Sequence, residues 1–276
     1  MAMLKLVIAN WKMNPASYKE AQKLAGAAGQ SVRKYRRVEV VVCPPFTWLT
    51  DMSHEKEYGL EYGAQDVFWM DKGAYTGEIS PLILKNSKVK YVIIGHSERR
   101  KLGETNEDAN RKLKAALANG LTAILCVGED SKIHARGSAA VIKFIEKQLR
   151  ECLKGLNSKS HPSTGKPNYI IVAYEPVWAI STNPGAKPDN PDQAERVILA
   201  IHKSLNSMFR APHPMFRVLY GGSVNGANAE GFLNKPSIQG VLVGGASLKP
   251  REFEKIIKYA DAVSVNKNKK VSKINK

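Results

Sequence analysis

The chain is 276 residues long, with 43% apolar residues and a formal net charge of +17. An apolar share of that size can bury a large core, which excludes disorder for most of the length. No apolar run is long enough for a membrane span, and the first, residues 4–9, lacks the basic start and cleavage site of a secretion signal, so no membrane partner is expected.

The charge is scattered over helix-like stretches such as 31–37 and 109–118. It is densest at 266–276, where Lys267, Lys269, Lys270, Lys273 and Lys276 stand among polar residues with no aromatic side chain between them. Base stacking has no platform there, so no nucleic-acid partner is expected, and 264–276 reads as a basic, frayed tail. Cys43, Cys126 and Cys152 are odd in number and lack ligand spacing. They read as free thiols in a reducing, cytoplasmic setting, with no metal.

Taken in chain order, the strand-like runs are 4–9, 38–43, 60–64, 91–94, 122–127, 169–173, 217–220 and 240–243. They are continuously apolar rather than alternating, as a parallel strand covered on both faces requires. Between them lie stretches with a 3.6-residue period. In 194–208, for example, Ala194, Val197, Ile198, Ile201 and Leu205 share one face; residues 139–153 and 247–259 also read as helices. Eight such units match the roughly 250 residues of a (β/α)₈ barrel. A doubly wound sheet would carry a Gly-rich nucleotide turn after its first strand, where this chain has Asn10-Trp11-Lys12. The expectation is an α/β fold with a single (β/α)₈ TIM barrel over 1–263. The polar stretch 157–168 reads as a surface loop rather than a linker.

In such a barrel chemistry lies where strands end. Asn10 and Lys12 follow the first run, His96, Ser97 and Glu98 the fourth, and Glu175-Pro176 the sixth. Gly221-Gly222-Ser223 follow the seventh, and Gly244-Gly245 the eighth. None is specific alone: a glutamate at a strand exit is usually solvated, and a Gly-Gly pair is usually a tight turn. Together they supply a base, an electrophile and a counter-charge, with Gly turns whose backbone N–H groups admit a bulky anion. That set describes proton abstraction beside a carbonyl on a phosphorylated substrate, with no cofactor and no metal. A different sugar-phosphate isomerase on the same barrel, or a basic binding module, are the rival readings.

Several stretches carry a resemblance spanning about 3–263. They are Ile8-Ala9-Asn10-Trp11-Lys12-Met13-Asn14, Gly73-Ala74-Tyr75-Thr76-Gly77-Glu78-Ile79-Ser80 and Ile94-Gly95-His96-Ser97-Glu98-Arg99-Arg100. Cys126-Val127-Gly128-Glu129, Ala173-Tyr174-Glu175-Pro176-Val177-Trp178-Ala179-Ile180, Tyr220-Gly221-Gly222-Ser223-Val224 and Val243-Gly244-Gly245-Ala246-Ser247-Leu248 complete the set. In these the chain resembles the triosephosphate isomerase family. The resemblance implies interconversion of dihydroxyacetone phosphate and glyceraldehyde 3-phosphate through an enediolate, in glycolysis and gluconeogenesis. It implies Glu175 as base, His96 as neutral electrophile, Lys12 as cation, Asn10 as a positioning group and Glu98 as organiser of the polar network. It also implies phosphate contacts at Ser181, Ser223, Gly244 and Gly245, and a homodimer with Tyr75, Thr76 and Glu78 at the interface. Two departures stand out: the stretch 181–188 replaces the family's Gly-rich loop tip with a longer, proline-containing one, and the basic tail is added.

Overall fold

The computed structural model describes residues 4–55, 58–156, 170–180, 189–209 and 216–274, with side chains up to Ser264 in the last helix. Its strands are β1 (Lys5–Asn10), β2 (Val38–Cys43), β3 (Glu61–Ala64), β4 (Tyr91–Ile94), β5 (Thr122–Val127), β6 (Ile170–Tyr174), β7 (Phe216–Tyr220) and β8 (Gly240–Val243). Each pairs in parallel with the next, and β8 pairs with β1, which closes the eight-stranded barrel. No strand differs from its sequence expectation by more than a residue at either end.

The strands are apolar throughout because the barrel has two cores. Alternate side chains point to opposite faces. In β1, Leu6 and Ile8 point inward and meet Val41, Ile93, Ile124, Ile171, Leu219 and Leu242. Val7 and Ala9 point outward into the layer shared with the helices. Each large aliphatic side chain buried this way stabilises the fold by about 1.5–3 kcal/mol.

Helices α1 (Tyr18–Lys34), α2 (Phe46–His54), α3 (Pro81–Asn86), α4 (Ser97–Lys101) and α5 (Asn106–Ala118) come from the first half. Helices α6 (Ser131–His134), α7 (Ser138–Cys152), α8 (Pro191–Phe209), α9 (Ala229–Leu233) and α10 (Pro250–Ile274) come from the second. Their starts are chemically marked. Ser17 accepts the Glu20 N–H ahead of α1, and Thr105 and Asp108 form a reciprocal capping box at α5. Along α8 the expected Ala194, Val197, Ile198, Ile201 and Leu205 face is buried.

Two differences from the sequence reading concern the C-terminal end. A single helix was expected over 247–259; the chain instead makes a 3₁₀ turn at Gly245–Leu248 and starts α10 at Pro250. Proline fits the first helical position, where an N–H has no intrahelical use, so the helix starts there. Helical backbone then continues to Ile274, beyond the expected end of the barrel domain. Ser264 is buried, donating to the Ala260 carbonyl at 3.0 Å and accepting the Lys5 N–H at 3.4 Å.

Ion pairs stand at the N-terminal mouth of the barrel. Arg217 grips Glu39 with two bonds of 2.7 Å, and Lys90 meets Glu61 at 2.5 Å. No helix among the described residues is long and apolar enough to cross a membrane.

Because Ile124 fills the barrel interior, Ile124→Ala is expected to lower unfolding free energy by about 2–5 kcal/mol. Leu199→Ala on the exposed face of α8 should stay within about 0.5 kcal/mol. Urea denaturation followed by circular dichroism checks the contrast; equal losses would contradict the two-core description.

Candidate active site

The cation comes first along the chain. Lys12 follows β1 with φ of +54°, a left-handed backbone that costs a non-glycine residue about 1–2 kcal/mol. Three bonds hold it there. The Lys12 N–H donates to Asn10 Oδ1 at 3.0 Å, and its carbonyl accepts from Gln65 Nε2 at 2.8 Å. The same Gln65 amide donates to the Cys43 carbonyl at 2.9 Å, tying the turn to β2. The ammonium then meets Glu98 Oε1 at 2.5 Å. Burial pushes the Glu98 carboxyl up, but the hydrogen bond and charge of Lys12 outweigh it and hold the group below the ordinary carboxylate value.

The imidazole lies at the end of β4. Gly95 turns the chain with φ of +71°, and a side chain there would strike the Arg100 guanidinium. Arg100 Nε donates to the Gly95 carbonyl at 2.7 Å, and the Gly95 N–H donates to Glu104 Oε1 at 2.8 Å. His96 caps α4, its Nδ1 accepting the Glu98 N–H at 3.2 Å. A nitrogen that accepts carries no proton, so this assignment puts the ring hydrogen on Nε2. Nε2 faces Glu175 Oε1 at 3.3 Å.

Glu175 follows β6 and is 2% exposed. Its N–H donates to the Val127 carbonyl at 2.8 Å, and Oε2 accepts the Ser97 N–H at 3.0 Å. Oε1 makes no full hydrogen bond. Glycines create the slot: a side chain at Gly128 would overlap the Glu175 carbonyl, and one at Gly221 would come within 2.9 Å of its Cγ. The hinge that follows is fixed by Glu129. Its carbonyl accepts the Val177 N–H at 3.0 Å, while Oε1 accepts the Trp178 indole N–H at 2.7 Å and the Tyr174 hydroxyl at 3.1 Å.

The Gly turns complete the mouth. Ser223 Oγ donates to the Ala179 carbonyl at 2.8 Å, linking the turn after β7 to the hinge. Ser247 donates to the Gly244 carbonyl at 2.8 Å, shaping the 3₁₀ turn after β8. Space beside Gly245 is open, and the Lys12 side chain passes over Gly244. Asn10, Lys12, His96, Glu175, Ser223, Gly244 and Gly245 line one cavity of about 530 Å³, a size suited to a small molecule.

Glu98 stands behind Lys12 rather than on the cavity wall. Tyr75, Thr76 and Glu78 are exposed on the segment after β3. Ser181, the fourth expected phosphate contact, lies outside the described residues, as does the rest of 181–188. Strand-exit reasoning missed Gln65, Glu129 and Glu104 as supports. Glu104 lies beyond a helix, not at a strand end, yet it bridges Gly95 to the buried Lys112 ammonium at 2.6 Å. Among the described residues no group of three or more His, Cys, Asp or Glu could hold a metal ion.

Barrel and mouth together define a (β/α)₈ enzyme of acid–base chemistry with a place for an anionic substrate. The model of the triosephosphate isomerase family matches residues 5–260. The chain is similar to the triosephosphate isomerase of Endomicrobium trichonymphae, 42% identical over 257 residues that cover 92% of this chain and 98% of that one. It is 43% identical over 260 residues to that of Dictyoglomus thermophilum, with the same coverage. It is 41% identical over 262 residues to that of Citrifermentans bemidjiense, covering 94% of this chain and 100% of that one. The chain therefore belongs to the triosephosphate isomerase family and is an isomerase.

A methyl group at position 221 would press on the Glu175 Cγ. Gly221→Ala is thus expected to lower kcat by about tenfold or more through misplacement of the carboxylate, with an unchanged circular dichroism spectrum. Wild-type kcat in the folded variant would show that the slot does not position Glu175.

Proposed function

We propose that Glu175, His96 and Lys12 carry the interconversion of dihydroxyacetone phosphate and glyceraldehyde 3-phosphate. The observation that carries this reading is the 3.3 Å approach of His96 Nε2 to Glu175 Oε1 inside the cavity that Lys12 also lines. A substrate whose carbonyl lies against Nε2–H places its neighbouring C–H beside the carboxylate. Glu175 takes that proton, the C–H electron pair becomes the C=C bond of an enediolate, and the negative charge moves to the carbonyl oxygen. The Nε2–H stabilises that charge directly, and the Lys12 ammonium stabilises it through space. The hydroxyl proton on the neighbouring carbon passes to the former carbonyl oxygen, relayed by His96 Nε2, and Glu175 returns its proton to the former carbonyl carbon, which completes the isomerisation with no net change in protons. Asn10 positions the substrate, and Glu98 holds the Lys12 ammonium in place. Ser181, Ser223, Gly244 and Gly245 are the proposed phosphate contacts. Open space at Gly245 supports this reading, as do the Gly244 and Gly245 N–H groups, which donate to no other group among the described residues.

The active form is proposed to be a homodimer joined through the segment bearing Tyr75, Thr76 and Glu78. Exposed apolar side chains on the segments after β1, β3 and β4 support this: Met13, Met70, Tyr75, Leu82, Ile83 and Leu102. Residues 1–263 form the proposed catalytic unit, and the basic end 264–276 adds nothing to its chemistry. Three unbridged, buried cysteines support a cytoplasmic location.

Glu175→Gln should fold normally and lose about 10²–10⁴-fold in kcat, because an amide cannot accept the proton. Wild-type turnover in a coupled assay would remove Glu175 from the mechanism. For the assembly, sedimentation velocity should give twice the chain mass for the wild type and the single-chain mass for Ile83→Asp, since a charge there cannot be buried unpaired. A wild-type monomer would contradict the dimer.

A further inference from the structure

Asp189 stands two residues before α8, where the chain re-enters the barrel wall, and the mechanism above does not use it. A carboxylate in such a place is expected in solvent, yet Asp189 is 7% exposed. Its Oδ1 accepts the Asn190 N–H at 2.7 Å. The Tyr220 hydroxyl lies near its carboxylate, and neither Oδ2 nor the hydroxyl makes a hydrogen bond among the described residues. Tyr220 has little freedom of its own. Its ring stacks on Phe232 with centroids 4.0 Å apart, and its hydroxyl lies directly under Gly222, where a side chain would overlap it. On the other side stands Glu129, whose Oε2 is buried and unpartnered while its Oε1 holds the Trp178 indole. Asp189 and Glu129 line one small cavity of about 220 Å³.

We infer that Asp189 is a positioning residue for the isomerisation: through the Tyr220 hydroxyl and against the Glu129 carboxylate it sets the Gly221-Gly222-Ser223 turn relative to the hinge at 176–180, and this setting changes when Asp189 gains or loses a proton. The inference rests on the reading of that turn as phosphate-facing. Burial pushes the Asp189 carboxyl up from its ordinary 3.8 to about 6; the Asn190 N–H opposes this, the Glu129 charge adds to it, and His134 and the Tyr220 hydroxyl oppose it. The groups around it are Glu129 after β5, His134 on α6, Tyr174 on β6, Tyr220 on β7 and Arg196 on α8. In the protonated form Asp189 is neutral beside Glu129. Once ionised, it draws in the Tyr220 O–H and repels the carboxylate that holds Trp178. A raised carboxyl contributes stability that is complete below pH 3.8 and is lost as pH rises through about 6, so the ionised setting is the looser one.

The reporter is the indole N–H resonance of Trp178 in the free protein, identified by its loss in Trp178→Phe and followed from about pH 5 to about pH 8. The wild type should move with a midpoint of about 6, and Asp189→Asn should stay flat. His134→Gln, which removes the imidazole stacked 3.8 Å from the indole and with it a charge that favours the ionised carboxylate, should keep the transition and move its midpoint to higher pH. Tyr220→Phe removes a donor that favours the ionised carboxylate and should move the midpoint to higher pH; this decides the matter should Asp189→Asn not fold. In kinetics, Asp189→Asn should differ from the wild type in kcat/KM by about threefold or more at the alkaline end and by less than about 1.5-fold at the acid end, where both are neutral. A flat wild type, a midpoint that survives Asp189→Asn or vanishes in His134→Gln, an unmoved midpoint in Tyr220→Phe, or the same kinetic ratio at both ends would overturn the inference. The resonance is read without substrate, so its failure is distinct from a failure of the catalytic reading, which Glu175→Gln tests.

Discussion

Every strand of this barrel is buried on both faces, and the placement of the chemistry depends on that constraint. A strand with two apolar faces cannot carry a charged side chain in its middle without desolvating it, at a cost of several kcal/mol. Polar residues are therefore driven to the strand ends. The parallel arrangement makes all eight C-terminal ends converge on one mouth. Asn10, His96 and Glu175, from β1, β4 and β6, meet in one cavity although they are far apart in sequence. Ion pairs such as Arg217 with Glu39 occupy the opposite mouth.

Burying charge at the working mouth creates a second demand, met by layers of support behind the cavity wall. Glu175 is nearly inaccessible, yet one oxygen keeps a backbone N–H from Ser97 and the other faces an imidazole. Lys12 keeps an unfavourable backbone angle because Asn10 and Gln65 satisfy its amide. Deeper still, the buried Lys112 ammonium lies between Asp66 at 2.7 Å and Glu104 at 2.6 Å, and Glu104 reaches forward to Gly95. Removing one member of such a set leaves a buried charge uncompensated, which costs more than the intact set contributes to stability. The loop bearing His96 is held by electrostatics that begin two layers away from it.

How much of this was legible in the sequence depended on whether the physical signal was local. Continuous apolar runs located all eight strands within a residue, because burial on both faces writes itself into consecutive positions. The line-up of polar residues after those runs pointed to Asn10, Lys12, His96 and Glu175, which line one cavity, and family motifs implied the roles proposed for them. Glu104 and Lys112 carried no such mark, since neither follows a strand; Gln65 does follow the third run, but alone it reads as a solvated strand end. The start of α10 was misread because a 3₁₀ turn and a helix share the same short apolar spacing, and Pro250 decides between them. Asp189 carries no mark of its own in the sequence; only the fold brings it near Tyr220.

The residues after Glu175 combine fixity and freedom in a way the local chemistry explains. Pro176 lacks an N–H, so the first anchor available beyond the base is the Val177 N–H, which the Glu129 carbonyl takes. Glu129 then holds the next residue through the Trp178 indole, and Ser223 holds Ala179 through its carbonyl. These bonds join the hinge to two strand ends, β5 in the first two cases and β7 in the third. The base is thus tied to the turn proposed to bind phosphate by a chain of three short contacts rather than by a single one. A substrate anion drawn to the Ser223 turn would act on the same contacts that hold Glu175. This couples binding at the remote end of the molecule to the geometry at its reacting carbons, the condition under which binding energy from a non-reacting group lowers the barrier of the chemical step.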